Sequence, residues 1–145
     1  MSGKILVVDD EPDSVSFLES VLEENGYDYV SANDGVEGLN LARKEKPILI
    51  LLDLIMPEKG GIMMFQELKA DPEMRKIPVI VVSGIAKVTG VDFKDFVIKQ
   101  PDKGGSENVG TAGDSRYTKP DAFMEKPIKP DELVGKIKEI LKDTI

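Results

Sequence analysis

Cysteine, histidine and tryptophan are all missing from this 145-residue chain. Without cysteine there is neither a disulfide framework nor a thiolate site. Without histidine the commonest general base and metal ligand is gone, and any chemistry falls to carboxylates, lysine and hydroxyls. Positive charge is also in short supply. Nineteen Lys and Arg against 27 Asp and Glu leave a net charge of -8 at pH 7, so nucleic acid and anionic membranes, which repel an acidic surface, are not expected as partners. Nothing at the N-terminus resembles a secretory signal, and no apolar run is long enough to cross a bilayer. A cytoplasmic location is the expectation. What is present, 41% hydrophobic and 32% charged residues, suits one globular domain over residues 1–145.

The apolar residues alternate between two periods. Ile5 to Val8 is a short continuous run suited to a buried strand, and Pro12 then opens a helix with Val15, Leu18, Val21 and Leu22 at helical spacing until Gly26. Tyr27 to Ser31 reads as a second strand, and Val36, Leu39 and Ala42 as the buried stripe of a second helix ending before Pro47. Ile48 to Leu52 is a third strand, Ile62, Phe65 and Leu68 mark a third helix, Val79 to Val82 is a fourth strand, and Ala122 to Met124 belongs to a fifth. From Pro130 a last helix carries Leu133, Val134, Ile137, Ile140 and Leu141. Strands and helices in alternation imply an α/β domain with a parallel sheet covered on both faces.

Polar residues interrupt this pattern at strand ends. Asp9 and Asp10 close the first strand, Asp53 the third and Ser83 the fourth, while Lys126 follows the fifth. In an open α/β sheet these carboxyl ends share one edge, where ligands bind at the topological switch point. Three carboxylates in one pocket resist burial unless a cation lies among them. A site of oxygen ligands with only a few protein donors suits Mg²⁺, which keeps waters and binds phosphate oxygens.

The stretches "ILVVDDEPD", "ILLDLIMPEKGG", "IPVIVVSG" and "FMEKPIKPDEL", in this order, resemble the receiver domain of bacterial two-component response regulators. The resemblance implies a flavodoxin-like (βα)5 doubly wound sheet with strand order 2-1-3-4-5. It makes Asp53 the phosphoacceptor and places Asp10 directly on Mg²⁺. Asp9 would lie near the metal, largely through water, and the backbone carbonyl of Ile55 would be a further ligand. Lys126 would pair with the phosphoryl group, and Lys126-Pro127 would be a cis peptide. The Ser83 hydroxyl would bond a phosphoryl oxygen in the active state, and Phe123 occupies the position of the family's mobile aromatic residue. The implied donor is a histidine on a separate sensor kinase or phosphotransfer protein, since this chain has no histidine. Two positions that border the path of hydrolytic water in the family are Ile55 and Ile85 here. Both are apolar and unable to orient water, so a long-lived phosphoryl group is expected.

One segment departs from the family pattern. Ser83 and Lys126 lie roughly twice as far apart as the family's fourth helix requires, which enlarges the connection between the fourth and fifth strands. Residues 85–120 form an atypical fourth-helix region: Val91, Phe93, Phe96 and Val97 suit a short helix, whereas 102–115 is rich in Gly, Asp and Ser and is expected to be a mobile loop. With the last helix expected to end near Lys142, the expectation is a stand-alone receiver whose output is contact with a downstream protein. Two alternatives fit less well. A pseudo-receiver that works without phosphorylation would be expected to have lost Asp53, the acidic pair or Lys126. A Mg²⁺-dependent phosphohydrolase of the haloacid dehalogenase type would place its two aspartates one residue apart, and Asp9 and Asp10 are adjacent.

Overall fold

The structure, a computed structural model, describes residues 3–53, 60–83, 98–99, 117–118 and 120–143. Its elements in chain order are β1 (Lys4–Val8), α1 (Pro12–Glu24), β2 (Asp28–Ala32), α2 (Gly35–Glu45), β3 (Leu49–Leu52), α3 (Gly61–Ala70), a 3-10 turn (Met74–Lys76), β4 (Val79–Ser83), β5 (Ile98–Lys99), β6 (Tyr117–Thr118), β7 (Ala122–Glu125) and α4 (Pro130–Asp143). Five strands make one sheet in the order β2-β1-β3-β4-β7, and every pairing in it is parallel. With β7 counted as the fifth strand, this is the flavodoxin-like order expected from the sequence.

The uninterrupted apolar strands are explained by a sheet covered on both faces. Side chains alternate across a strand, so Leu6, Val8, Ile50, Leu52, Val79 and Val81 join Leu39, Met64, Phe65 and Leu68 from α2 and α3 in one core. Ile5, Val7, Leu49, Leu51, Ile80 and Val82 point the other way, onto Leu18, Val21 and Leu22 of α1 and Leu133 and Ile137 of α4. The central strands are thereby locked in register from both sides.

Local chemistry sets the helix ends. At the start of α2, Asp34 accepts a hydrogen bond from the Glu37 N–H at 2.9 Å, and the Glu37 carboxylate accepts from the Asn33 N–H at 2.9 Å, a reciprocal cap. At the end of α1, the Asn25 side-chain amide donates to the Val21 carbonyl at 2.8 Å, and Gly26 takes a left-handed φ of 81° that turns the chain toward β2.

Several expectations shift. Val36 is not part of the buried stripe of α2: it is 50% exposed, and Gly35, Gly38, Leu39 and Ala42 face the core instead. Valine at the second helical position simply falls on the outer side of the turn. Strand β2 begins at Asp28 and β3 at Leu49, one residue later than the apolar runs suggest. The enlarged connection between β4 and β7 carries a short antiparallel ladder of β5 and β6, pairing Ile98 with Thr118 and Lys99 with Tyr117. The short helix expected at Val91 to Val97 and the loop expected at 102–115 lie outside the described residues.

Gly38 governs how closely α2 approaches the sheet. A Cβ there would stand 2.8 Å from the Met64 sulfur and 3.1 Å from Val8 Cγ2, and both residues are fully buried. Gly38→Val is therefore expected to overpack this junction and lower unfolding stability by about 1–3 kcal/mol. A urea titration checks this: the midpoint should fall with an unchanged slope.

Candidate functional site

The carboxyl ends of β1 and β3 run side by side past the last regular strand residues. The Asp9 N–H donates to the Ala32 carbonyl at 3.2 Å, and the Asp53 N–H to the Val8 carbonyl at 3.0 Å. These two bonds extend the sheet ladder by one residue and fix both aspartate backbones. Asp9 and Asp53 are 1% and 6% exposed, the buried charged residues among those described. One carboxylate oxygen from each of Asp9, Asp10 and Asp53 falls within 4.8 Å of the others.

Buried carboxylates need compensation. The Glu11 N–H donates to Asp9 Oδ1 at 2.9 Å. From the far side of the sheet, directly after β7, the Lys126 ammonium donates to Asp9 Oδ2 at 3.1 Å and to Asp53 Oδ2 at 3.3 Å. It also donates to Glu11 Oε1 at 3.1 Å and to Ser14 Oγ at 3.2 Å. Burial pushes the Asp9 carboxyl above its ordinary range, outweighing the Glu11 N–H and the Lys126 ammonium, which favour its charged form. Burial would lower Lys126, but its hydrogen bond to Asp9 and the charges of Asp53 and Asp9 more than offset this and hold it above the usual lysine range. Lys126 is therefore a fixed cation at neutral pH. The Lys126 contact also holds the exposed Glu11 carboxyl below its usual range.

Asp9, Asp10 and Asp53 form an oxygen-only donor set open to solvent through Asp10, which is half-buried. Their spacing suits a small hard cation that takes some ligands directly and others through its own waters. Phe123 lies on β7, opposite Val81 of β4, and packs partly buried against the α2–α3 core. The Lys126-Pro127 peptide is cis, as expected. Ser83 is the last residue of β4, in register with Glu125, so its backbone stands at the same sheet edge. The Ser83 side chain, Ile55 and Ile85 lie outside the described residues. Sequence reasoning missed Glu11 and Ser14 as Lys126 partners. The available signal was their position in the first turn after the acidic pair, where a helix N-terminus points back at the strand end.

The fold agrees with the comparisons. A family model described as the response regulator receiver domain matches residues 5–104. The chain is 30% identical over 143 residues to the polar-differentiation response regulator DivK of Brucella anthropi, covering 99% of each. Among solved structures, a Francisella response regulator receiver domain is 27% identical with a TM-score of 0.71, covering 99% of this chain and 100% of that one. A response regulator from Chloroflexus aurantiacus, described as putative, is 25% identical with a TM-score of 0.72, covering 98% and 99%.

Removing the lysine should expose the cost of the buried acids. Lys126→Met is expected to destabilise the Mg²⁺-free protein at neutral pH on the order of 2 kcal/mol, below a fully buried pair because the Lys126 side chain remains 23% exposed. Asp9 has a folded pKa raised by burial, so its charged form penalises the fold, and the penalty lifts as pH falls through that raised value. The deficit of the variant should accordingly shrink as the pH is lowered from neutrality toward the ordinary aspartate range, measured by urea unfolding at each pH.

Proposed function

The chain belongs to the response regulator receiver family, and from that premise we propose that it is a phosphorylation-driven signalling switch with Asp53 as phosphoacceptor. The observation that carries this reading is the placement of the buried Asp53 carboxylate. It lies 3.3 Å from a lysine ammonium and beside the acidic pair Asp9 and Asp10, at the carboxyl edge of a parallel sheet.

A carboxylate at that position can attack phosphorus. An Asp53 oxygen–phosphorus bond forms as the phosphorus–nitrogen bond of a phosphohistidine on a sensor kinase or phosphotransfer protein breaks. The electron pair of the broken bond stays on the imidazole nitrogen. Mg²⁺, held by Asp9, Asp10, Asp53 and the Ile55 carbonyl, would neutralise charge on the phosphoryl oxygens when bound. Lys126 supplies a second, permanent positive charge beside Asp53. The Ser83 hydroxyl then donates to a phosphoryl oxygen, and Phe123 takes up the space this vacates, shifting the balance between two packings of the β4–β7 side. Ile55 and Ile85 border the path of attacking water and slow hydrolysis.

The output is contact with a downstream protein. The net charge of -8 disfavours nucleic acid and anionic lipid as its partners. Among the described residues no helix is long and apolar enough to cross a membrane. A phosphorylation-independent binding role is disfavoured because Asp9, Asp10, Asp53 and Lys126 are all present and gathered at one point.

Acetyl phosphate tests this reading without the kinase. Intact-mass measurement should show a single added phosphoryl group in the presence of Mg²⁺, none when the metal is chelated, and none in Asp53→Ala, which lacks the nucleophilic oxygen. An unchanged mass gain in that variant would refute the assignment of Asp53.

A further inference from the structure

Lys126 has more acceptors than protons. Its ammonium carries three N–H groups, yet four oxygens lie at 3.1–3.3 Å: Asp9 Oδ2, Glu11 Oε1, Ser14 Oγ and Asp53 Oδ2. Asp53 is the most distant of the four. Two acceptors, Glu11 and Ser14, belong neither to the candidate metal ligands nor to the phosphoacceptor.

Glu11 is held in place at both ends. It is the N-cap residue of α1, with φ -96° and ψ 116° and proline directly after it. Its N–H is bonded to Asp9 Oδ1 at 2.9 Å, and the Ser14 hydroxyl donates to the same Glu11 oxygen that receives Lys126, at 3.2 Å. The carboxylate, although 63% exposed, is thus held at 3.1 Å from the ammonium, whereas the Asp53 carboxylate that shares the ammonium is buried.

We propose that Glu11 is a tether for Lys126, a positioning residue that draws the ammonium toward solvent and must yield it before the lysine pairs fully with a phosphoryl group on Asp53. This rests on the reading of Asp53 as phosphoacceptor. Ser14 supports the tether by orienting the Glu11 carboxylate. An arriving phosphoryl group brings several anionic oxygens to the Asp53 side, and three protons cannot serve them together with Asp9, Glu11 and Ser14. Glu11 is the contact to be surrendered, because it is the exposed one, where water replaces the lost hydrogen bond at little cost. The tether therefore biases the site toward the unphosphorylated arrangement by the modest amount that an exposed ion pair provides.

The test uses beryllium fluoride, a phosphoryl stand-in that binds an aspartate carboxylate with Mg²⁺, titrated against the intact protein and followed by NMR. Glu11→Gln keeps the shape and removes the charge, and should tighten binding by about two- to fivefold, the range an exposed ion pair supports. Glu11→Asp keeps the charge but shortens its reach, and should give a similar gain. Asp13→Asn removes the same charge from the same helical turn without touching Lys126, and should leave the affinity unchanged. The initial rate of phosphorylation by acetyl phosphate should follow the same order. Wild-type affinity in Glu11→Gln, or an equal gain in Asp13→Asn, would overturn the tether, the latter by showing a general field effect. Should the wild type accept neither beryllium fluoride nor a phosphoryl group, the underlying assignment of Asp53 fails, and the tether with it. A wild type that binds normally while Glu11→Gln shows no gain removes the tether alone.

Discussion

Two aspartates that are almost wholly withdrawn from water face each other across the ends of β1 and β3, and one ammonium holds them there. Burying carboxylates side by side is unfavourable by desolvation and by mutual repulsion, so the arrangement depends on the Glu11 N–H at Asp9 and on Lys126, which reaches across from the end of β7 to both aspartates. The rest of the architecture serves this charge balance. The parallel order brings three strand ends to one edge, the ladder bonds from Asp9 and Asp53 fix their backbones, and the first turn of α1 adds the Glu11 N–H to the same cluster.

The balance is incomplete by design of its composition. Asp9, Asp53 and Glu11 share a single lysine, and Asp10 adds a further carboxylate beside Asp9 and Asp53, an excess of negative charge that suits a divalent cation. Rigid strands buried on both faces limit the adjustment of the aspartates, whereas the long lysine side chain at the sheet edge can shift between partners. The site thus pairs a fixed anionic floor with a longer, partly exposed cationic side chain.

Much of this was legible in the sequence because each element has one period and each strand ends abruptly in a polar residue. Ile5 to Val8 followed by two aspartates identifies both a doubly covered strand and the edge where it stops. The convergence of Asp9, Asp10, Asp53 and Lys126 follows from the order of a parallel sheet, and it is what the structure shows. Val36 was misread because at a helix start a single valine satisfies helical spacing while pointing outward. Glu11 and Ser14 escaped notice because their role depends on where α1 begins relative to the cluster, a matter of three-dimensional angle that no periodicity encodes. The β5–β6 ladder spans two residues on each side, too short for alternation to register.

The central claim, that the acidic edge is a divalent-cation site balanced by Lys126, is tested most directly by titrating the ¹⁵N-labelled protein with Mg²⁺. Saturable shifts should concentrate at the amides of Asp9, Asp10, Glu11 and Asp53 and at the Lys126 ammonium, and should be weakened in Asp10→Ala while the core of the sheet stays unchanged. Shifts that never saturate, or a wild-type response in Asp10→Ala, would contradict the account.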